Sequence, residues 1–153
     1  MPADRQSRIG GIPGLLSLTF DMSTSSPTNE TGVQAHHQAE LDAGRFLIQH
    51  CRDCGRHVYY PREVCPHCGG SALDLVAPQG TGTVHAVTTV RRKPDAGGDY
   101  NVSLIELDEG VRLMSRVEGV APTAVAIGQR VKARVAQHNG AGLVVFDLLE
   151  GQA

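Results

Sequence analysis

The chain has 153 residues, 41% of them hydrophobic and 4% aromatic, with no tryptophan. Its 14 Lys plus Arg stand against 16 Asp plus Glu, a near-neutral balance that speaks against gripping nucleic acid by phosphate neutralisation. The length holds one ordinary domain, or a small domain beside a metal-held module, and no stretch approaches the roughly 20 apolar residues of a membrane span.

Residues 1–32 are expected to form an unstructured extension, because the tract Ser23-Thr24-Ser25-Ser26-Pro27-Thr28-Asn29 has nothing to bury. The run from Ile9 to Leu18 is interrupted by Gly10, Gly11, Pro13 and Gly14 and makes a poor signal-peptide core. Met22 is the expected biological start, with Met1 to Asp21 an upstream extension. The competing reading is a partner-binding tail built on Leu15, Leu16 and Leu18.

Residues 33–44 read as a helix ended by Gly44. It carries few apolar residues, so it is expected to be a solvated lead-in, or a docking arm that gains its apolar partner from another subunit. His36 and His37 are neighbours and point different ways on a helix, so surface histidines are expected here rather than a ligand pair.

Residues 45–72 hold every cysteine of the chain, in the segments Cys51-Arg52-Asp53-Cys54-Gly55 and Cys65-Pro66-His67-Cys68-Gly69. Paired thiolates on two tight turns can close a tetrahedral shell around one Zn²⁺, and the trailing glycines permit the positive φ such turns need. Arg45 to His50 is a predicted strand feeding the first pair. Arg56 to Tyr60 is a second, and Pro61-Arg62-Glu63 turns the chain. The prediction is a rubredoxin-like zinc ribbon with Cys51, Cys54, Cys65 and Cys68 as ligands of a structural ion. Four thiolates leave no open position for substrate. An iron site uses the same ligands and is the metal alternative. Two disulfides in a secreted domain fit the doubled pattern less well, and a redox dithiol needs only one pair. The metal reading fits a reducing cytoplasm, the expected location. His50 and His67 each adjoin a cysteine, but the shell is complete without them.

Residues 73–151 are predicted to be β-rich. Strands are expected over Val84–Arg92, Asn101–Asp108, Val111–Val117, Gln129–Val135 and Leu143–Leu149, with Glu109-Gly110 a hairpin turn and His138 to Gly142 another. The connection Ala121 to Gly128 suits a short helix or turn. Five strands with that break after the third match the order of an OB-fold barrel, with an SH3-like barrel as runner-up. Arg130, Lys132 and Arg134 alternate with Val131, Ala133 and Val135, as a closed, half-exposed barrel requires. The fold class is therefore mostly β: a lead-in helix, a four-cysteine ribbon and a five-stranded OB-fold barrel.

No catalytic constellation appears: there is no nucleophile elbow, P-loop, dinucleotide fingerprint or His-Glu-x-x-His. Glu106, Asp108 and Glu109 crowd a hairpin, where acidic residues are ordinary, and His85 reads as a barrel-face residue. An enzyme acting on its own is not expected. The usual OB-fold ligand is also poorly served. From Gln79 onward eight cations balance eight carboxylates, and Tyr100 and Phe146 are the only aromatics, so no stacking platform in a basic groove is available. Arg91-Arg92-Lys93 could hold phosphate groups, against the plainer reading of a solvated strand end.

The order of parts resembles the bacterial and archaeal family of zinc-ribbon plus OB-fold proteins found beside thiolases. The segments that carry it are the two cysteine pairs, Tyr60-Pro61-Arg62 ahead of the second, Gly80-Thr81-Gly82-Thr83-Val84, Asn101 to Gly110, and Ile127-Gly128-Gln129-Arg130-Val131. They span about Val33 to Gly151; residues 1–32 depart from the family. The resemblance implies a non-catalytic accessory subunit. It would bind a thiolase-like acyl-transfer or aldolase enzyme as a hetero-oligomer and contribute to an acyl-CoA site. The four cysteines carry over as metal ligands. Arg91, Arg92 and Lys93 are candidates for CoA phosphate on their chemistry alone. The competing functions are a single-stranded nucleic-acid module and a stand-alone acyl-CoA binder.

Overall fold

The computed structural model describes residues 32–150. The expectations placed on residues 1–31, the unstructured extension and the Met22 start, lie outside them. The first element is helix α1 (Val33–Asp42). Its end wraps back on itself. Arg45 N–H donates to the Glu40 carbonyl and Gly44 N–H to the Leu41 carbonyl, both at 2.8 Å, which satisfies carbonyls left over at the helix terminus.

Two sheets follow. In the smaller, β1 (Ile48–Cys51) is the central strand, with β2 (His57–Val58) on one side and β3 (Leu73–Val76) on the other, both antiparallel. β3 falls where the sequence reading starts the barrel, yet it pairs with the ribbon, Ile48 opposite Val76 and Cys51 opposite Leu73.

The larger sheet contains β4 (Thr81–Val90), β5 (Tyr100–Leu107), β6 (Arg112–Ser115), β7 (Val117–Glu118), β8 (Arg130–His138) and β9 (Ala141–Leu148). Their order is β6-β5-β4-β8-β9-β7, with β7 parallel to β9 and every other pair antiparallel. Five strands in an unbroken closed ladder are thus corrected to six. The expected third strand breaks at Arg116, and its two halves pair with opposite ends of the sheet. The buried Asn101 holds the break. Its Nδ2 donates to the Val117 carbonyl at 2.7 Å and its Oδ1 accepts the Val117 N–H at 2.9 Å, so a side-chain amide stands in for a strand neighbour. His85 is the extra residue of a bulge between Val84 and Ala86, just past the point where β4 leaves β8 and continues beside β5 alone. The connection after β7 contains a 3-10 turn over Pro122–Ala124.

The main core joins all three parts of the chain. Val84, Ile105, Leu113, Val131 and Phe146 come from the large sheet, Ile48 from the ribbon and Leu41 from α1. On the outside, Asp108 takes a two-pronged contact from Arg130, both bonds 2.7 Å, and accepts the Thr81 hydroxyl at 2.5 Å. The Arg130 hydrogen bond, then the Thr81 one, push the Asp108 carboxyl down to about 2 from 3.8. A depressed carboxylate pKa adds stability that is present above the unfolded value and is lost as pH falls through the folded one. Asp108→Asn is therefore expected to remove part of the loss of stability between about pH 4 and pH 2, read from denaturant midpoints across that window. Among the described residues no helix is long and apolar enough to cross a membrane.

Candidate metal centre and docking surface

Each cysteine pair sits on a knuckle. Gly55 N–H closes the first by donating to the Cys51 carbonyl at 2.8 Å, and Gly69 N–H closes the second on Cys65 at 2.9 Å. Both glycines have left-handed φ, 72° and 78°. Backbone N–H groups of Arg56, His67, Cys68 and Gly70 are directed at the sulfurs, an arrangement that favours thiolates. None of the four cysteines is in a disulfide. Their sulfurs all lie within 4.8 Å of one another, and the cross-knuckle pairs Cys51–Cys68 and Cys54–Cys65 stand at 3.6 and 3.7 Å. Four sulfurs about 2.3 Å from one tetrahedral ion would stand about 3.8 Å apart, so the residues fit a Zn²⁺ with no position left over. The His50 and His57 rings meet at a 50° tilt across the ribbon sheet, and the exposed His67 accepts from Arg56 at 3.3 Å.

Arg91, Arg92 and Lys93 are exposed just past β4. Arg91 Nη1 donates to Asp99 at 2.6 Å, the Arg92 backbone N–H donates to the same carboxylate at 2.9 Å, and the Arg92 guanidinium lies 5.8 Å from the Tyr100 ring centre. These bonds hold the Asp99 carboxyl below its ordinary range.

Two expectations about α1 are corrected. The helix is not a solvated lead-in: His37 and Leu41 are buried against the rest of the chain. Nor is His37 a surface residue. Its Nε2 donates to the Leu47 carbonyl at 3.0 Å and its ring meets Tyr59 edge-on at 5.8 Å. The helix docks largely through polar groups. Gly142 N–H donates to Asp42 Oδ1 at 2.7 Å and Gln38 Nε2 donates to the Gly142 carbonyl at 2.9 Å, covering the start of β9, which β7, paired only at Phe146 and Asp147, does not reach. The Gly142 bond also lowers the Asp42 pKa.

Between α1, the ribbon and strands β6 and β9 runs a groove of about 330 Å³. Tyr60, Met114 and Leu143 line it while 49%, 64% and 41% exposed. No Asp, Glu, Lys or Arg lines it. Tyr60 holds a left-handed φ of 57°, which costs a side-chain-bearing residue about 1 kcal/mol, and the following proline would favour extended backbone there. The buried Gln49 holds this turn in place. Its Nε2 donates to the Arg62 carbonyl at 2.8 Å and its Oε1 accepts the Arg62 N–H at 2.7 Å. Tyr59 packs inward on Phe46 and His37, and burial foremost pushes its phenol up to about 12. Sequence reasoning missed Gln49 and the groove. The one sequence-level hint was Tyr60-Pro61-Arg62, a turn with an aromatic residue at its entrance.

Comparison with known proteins places this geometry. The model of the ChsH2 rubredoxin-like zinc ribbon domain matches residues 39–74, and that of the ChsH2 C-terminal OB-fold domain matches residues 75–136. A DUF35 domain-containing scaffold protein of Methanocaldococcus jannaschii is 30% identical over 104 residues, covering 63% of this chain and 73% of that protein. A probable enoyl-CoA hydratase alpha subunit of Thermomonospora curvata is 37% identical over 89 residues, 57% of this chain; the match spans only 28% of that relative's length. Among solved structures, a chain of the Ltp2-ChsH2(DUF35) aldolase superposes with a TM-score of 0.67 at 31% identity, covering 75% of this chain and 93% of that one. A DUF35 protein of Sulfolobus solfataricus shares the fold with a TM-score of 0.55 at 18% identity, covering 78% of this chain and 87% of that one. The chain belongs to the DUF35 family, with a ChsH2-type zinc ribbon followed by an OB-fold domain.

Proposed function

We propose that this protein is an accessory subunit that binds a thiolase-like enzyme of acyl-CoA metabolism in the cytoplasm, forming a hetero-oligomer, and that it does not itself catalyse. The observation that carries the reading is the likeness, over 93% of its length, to the ChsH2(DUF35) chain of an aldolase bearing both names. Cys51, Cys54, Cys65 and Cys68 hold one structural Zn²⁺ in this reading. The ion would lock the two knuckles together, and a full thiolate shell leaves it no chemistry toward substrate. Arg91, Arg92 and Lys93 contribute cations toward CoA phosphate; Asp99 already engages Arg91 and tempers that contribution.

Co-expression with a thiolase-like protein from the same source is expected to give one complex on size exclusion and to raise that enzyme's solubility or activity. No co-purification together with no change in either property would end the reading. Calorimetry with a CoA thioester separates a stand-alone binder, which would bind without the enzyme. Tight, salt-dependent oligonucleotide binding would favour the nucleic-acid alternative.

A further inference from the structure

We infer that the uncharged groove between α1, the ribbon and β6/β9 receives an apolar segment of the thiolase-like subunit, with Tyr60 as its anchor. The inference rests on the accessory-subunit reading and names the surface that reading requires. The charge pattern selects the occupant. A groove with no Lys or Arg in its lining leaves the phosphates of a CoA headgroup unpaired, whereas an uncharged apolar segment leaves no charge unpaired there. Three separate pieces of chain, the turn after β2, β6 and β9, each bring an exposed apolar side chain to it: Tyr60, Met114 and Leu143. Tyrosine and methionine are enriched at the cores of protein interfaces.

The backbone points the same way. Tyr60 is kept in a left-handed conformation, and strain of this kind persists where surrounding structure over-determines it. Gln49 does so from beneath, gripping both backbone groups of Arg62. The backbone that carries the ring is thereby set before a partner arrives, which removes part of the ordering cost from binding. β6 is paired on one side only, and its Met114 N–H meets no strand, only the Tyr60 hydroxyl at 3.5 Å.

The test compares three single variants of the full chain, each co-expressed with the thiolase-like protein and measured for affinity by calorimetry. Tyr60→Gly removes the anchor while relieving the left-handed strain, so its thermal midpoint should hold or rise. Met114→Glu places a charge in the groove at an exposed position. Ile127→Glu alters an apolar residue of greater exposure, 68%, that does not line the groove. The expected result is at least tenfold weaker binding for the first two, with zinc content unchanged, and wild-type binding for the third. Wild-type affinity in both groove variants, beside a wild-type chain that binds, overturns the groove and leaves the accessory role standing. Loss of binding in Ile127→Glu alone places the interface elsewhere. If the isolated chain self-associates and the groove variants turn it monomeric, the occupant is a second copy and the inference is wrong. A wild-type chain that never binds the enzyme removes the accessory reading itself.

Discussion

Cys65→Ser is expected to abolish metal binding and unfold the ribbon while leaving most of the large sheet folded. Apart from Ile48, with Phe46 and Tyr59 packed beside it on the main core, the knuckles have little else to hold them. The ribbon's own buried cluster consists of Cys51, Val58 and Cys65, with Cys54 and Leu73 partly buried against it. At about 2 kcal/mol per fully buried apolar side chain, so small a cluster cannot offset the entropy of ordering this segment. A structural zinc supplies on the order of 10 kcal/mol in comparable modules. Cys65 is the informative position because it is 1% exposed and its sulfur stands 3.7 Å from that of Cys54. A serine there leaves three thiolates and a poor fourth donor. Elemental analysis should fall from one metal per chain toward none. Amide exchange should become fast over residues 45–72, while Val84, Ile105, Val131 and Phe146 stay protected. A metal-free variant that kept its ribbon protected would show that packing, not the ion, holds the knuckles.

The ribbon and the barrel were each visible in the residues, because both rest on local patterns, although the boundary drawn at residue 73 gave β3 to the barrel and the sheet gives it to the ribbon. Two Cys-x-x-Cys-Gly segments need only their own spacing to be recognised, and the alternation of Val131, Ala133 and Val135 with Arg130, Lys132 and Arg134 marks β8 without reference to any neighbour. The Asn139-Gly140 pair, both at positive φ, makes the β8–β9 turn tighter than the His138–Gly142 span expected for it. What stayed hidden depends on distant partners. Nothing near Asn101 says that its amide will serve Val117, so the break at Arg116 could not be foreseen. Nothing near Gln49 announces Arg62. The helix was misjudged because apolar residues were counted, whereas its contacts to β9 are made by Gln38 and Asp42. Arg91, Arg92 and Lys93 were legible as a cation cluster, but the commitment of Arg91 to Asp99 and of Arg92 to Asp99 and Tyr100 was not.

Gly142→Ala is expected to loosen α1 from β9 and lower the thermal midpoint by roughly 10 °C, corresponding to about 3 kcal/mol. The sign is what makes the substitution informative. Gly142 lies within a strand and outside the left-handed region, where alanine ordinarily stabilises by about 0.4–1 kcal/mol through the unfolded chain. Here the added carbon would fall 2.7 Å from the Asp42 nitrogen and closer still to the Leu41 carbonyl, all backbone atoms at the helix end that cannot swing aside. Either the helix moves or the strand does. The strand is held along its length by β8, from Val131 opposite Leu148 to His138 opposite Ala141, so the helix is the part that yields. Moving it sacrifices the burial of Leu41, worth about 2 kcal/mol, and the His37 bond to Leu47, worth about 1 kcal/mol. A second readout separates undocking from general destabilisation. Tyr59 is covered in part by His37, and its phenol, now pushed up to about 12, should drop toward 10 in an ultraviolet titration once the helix lifts. The same movement opens one wall of the groove beside Tyr60, so affinity for the thiolase-like subunit should fall even though no residue of the ribbon has changed. An unshifted Tyr59 titration and an unchanged midpoint would mean that the helix end accommodates the methyl group, and that α1 is not the fixed wall this account requires.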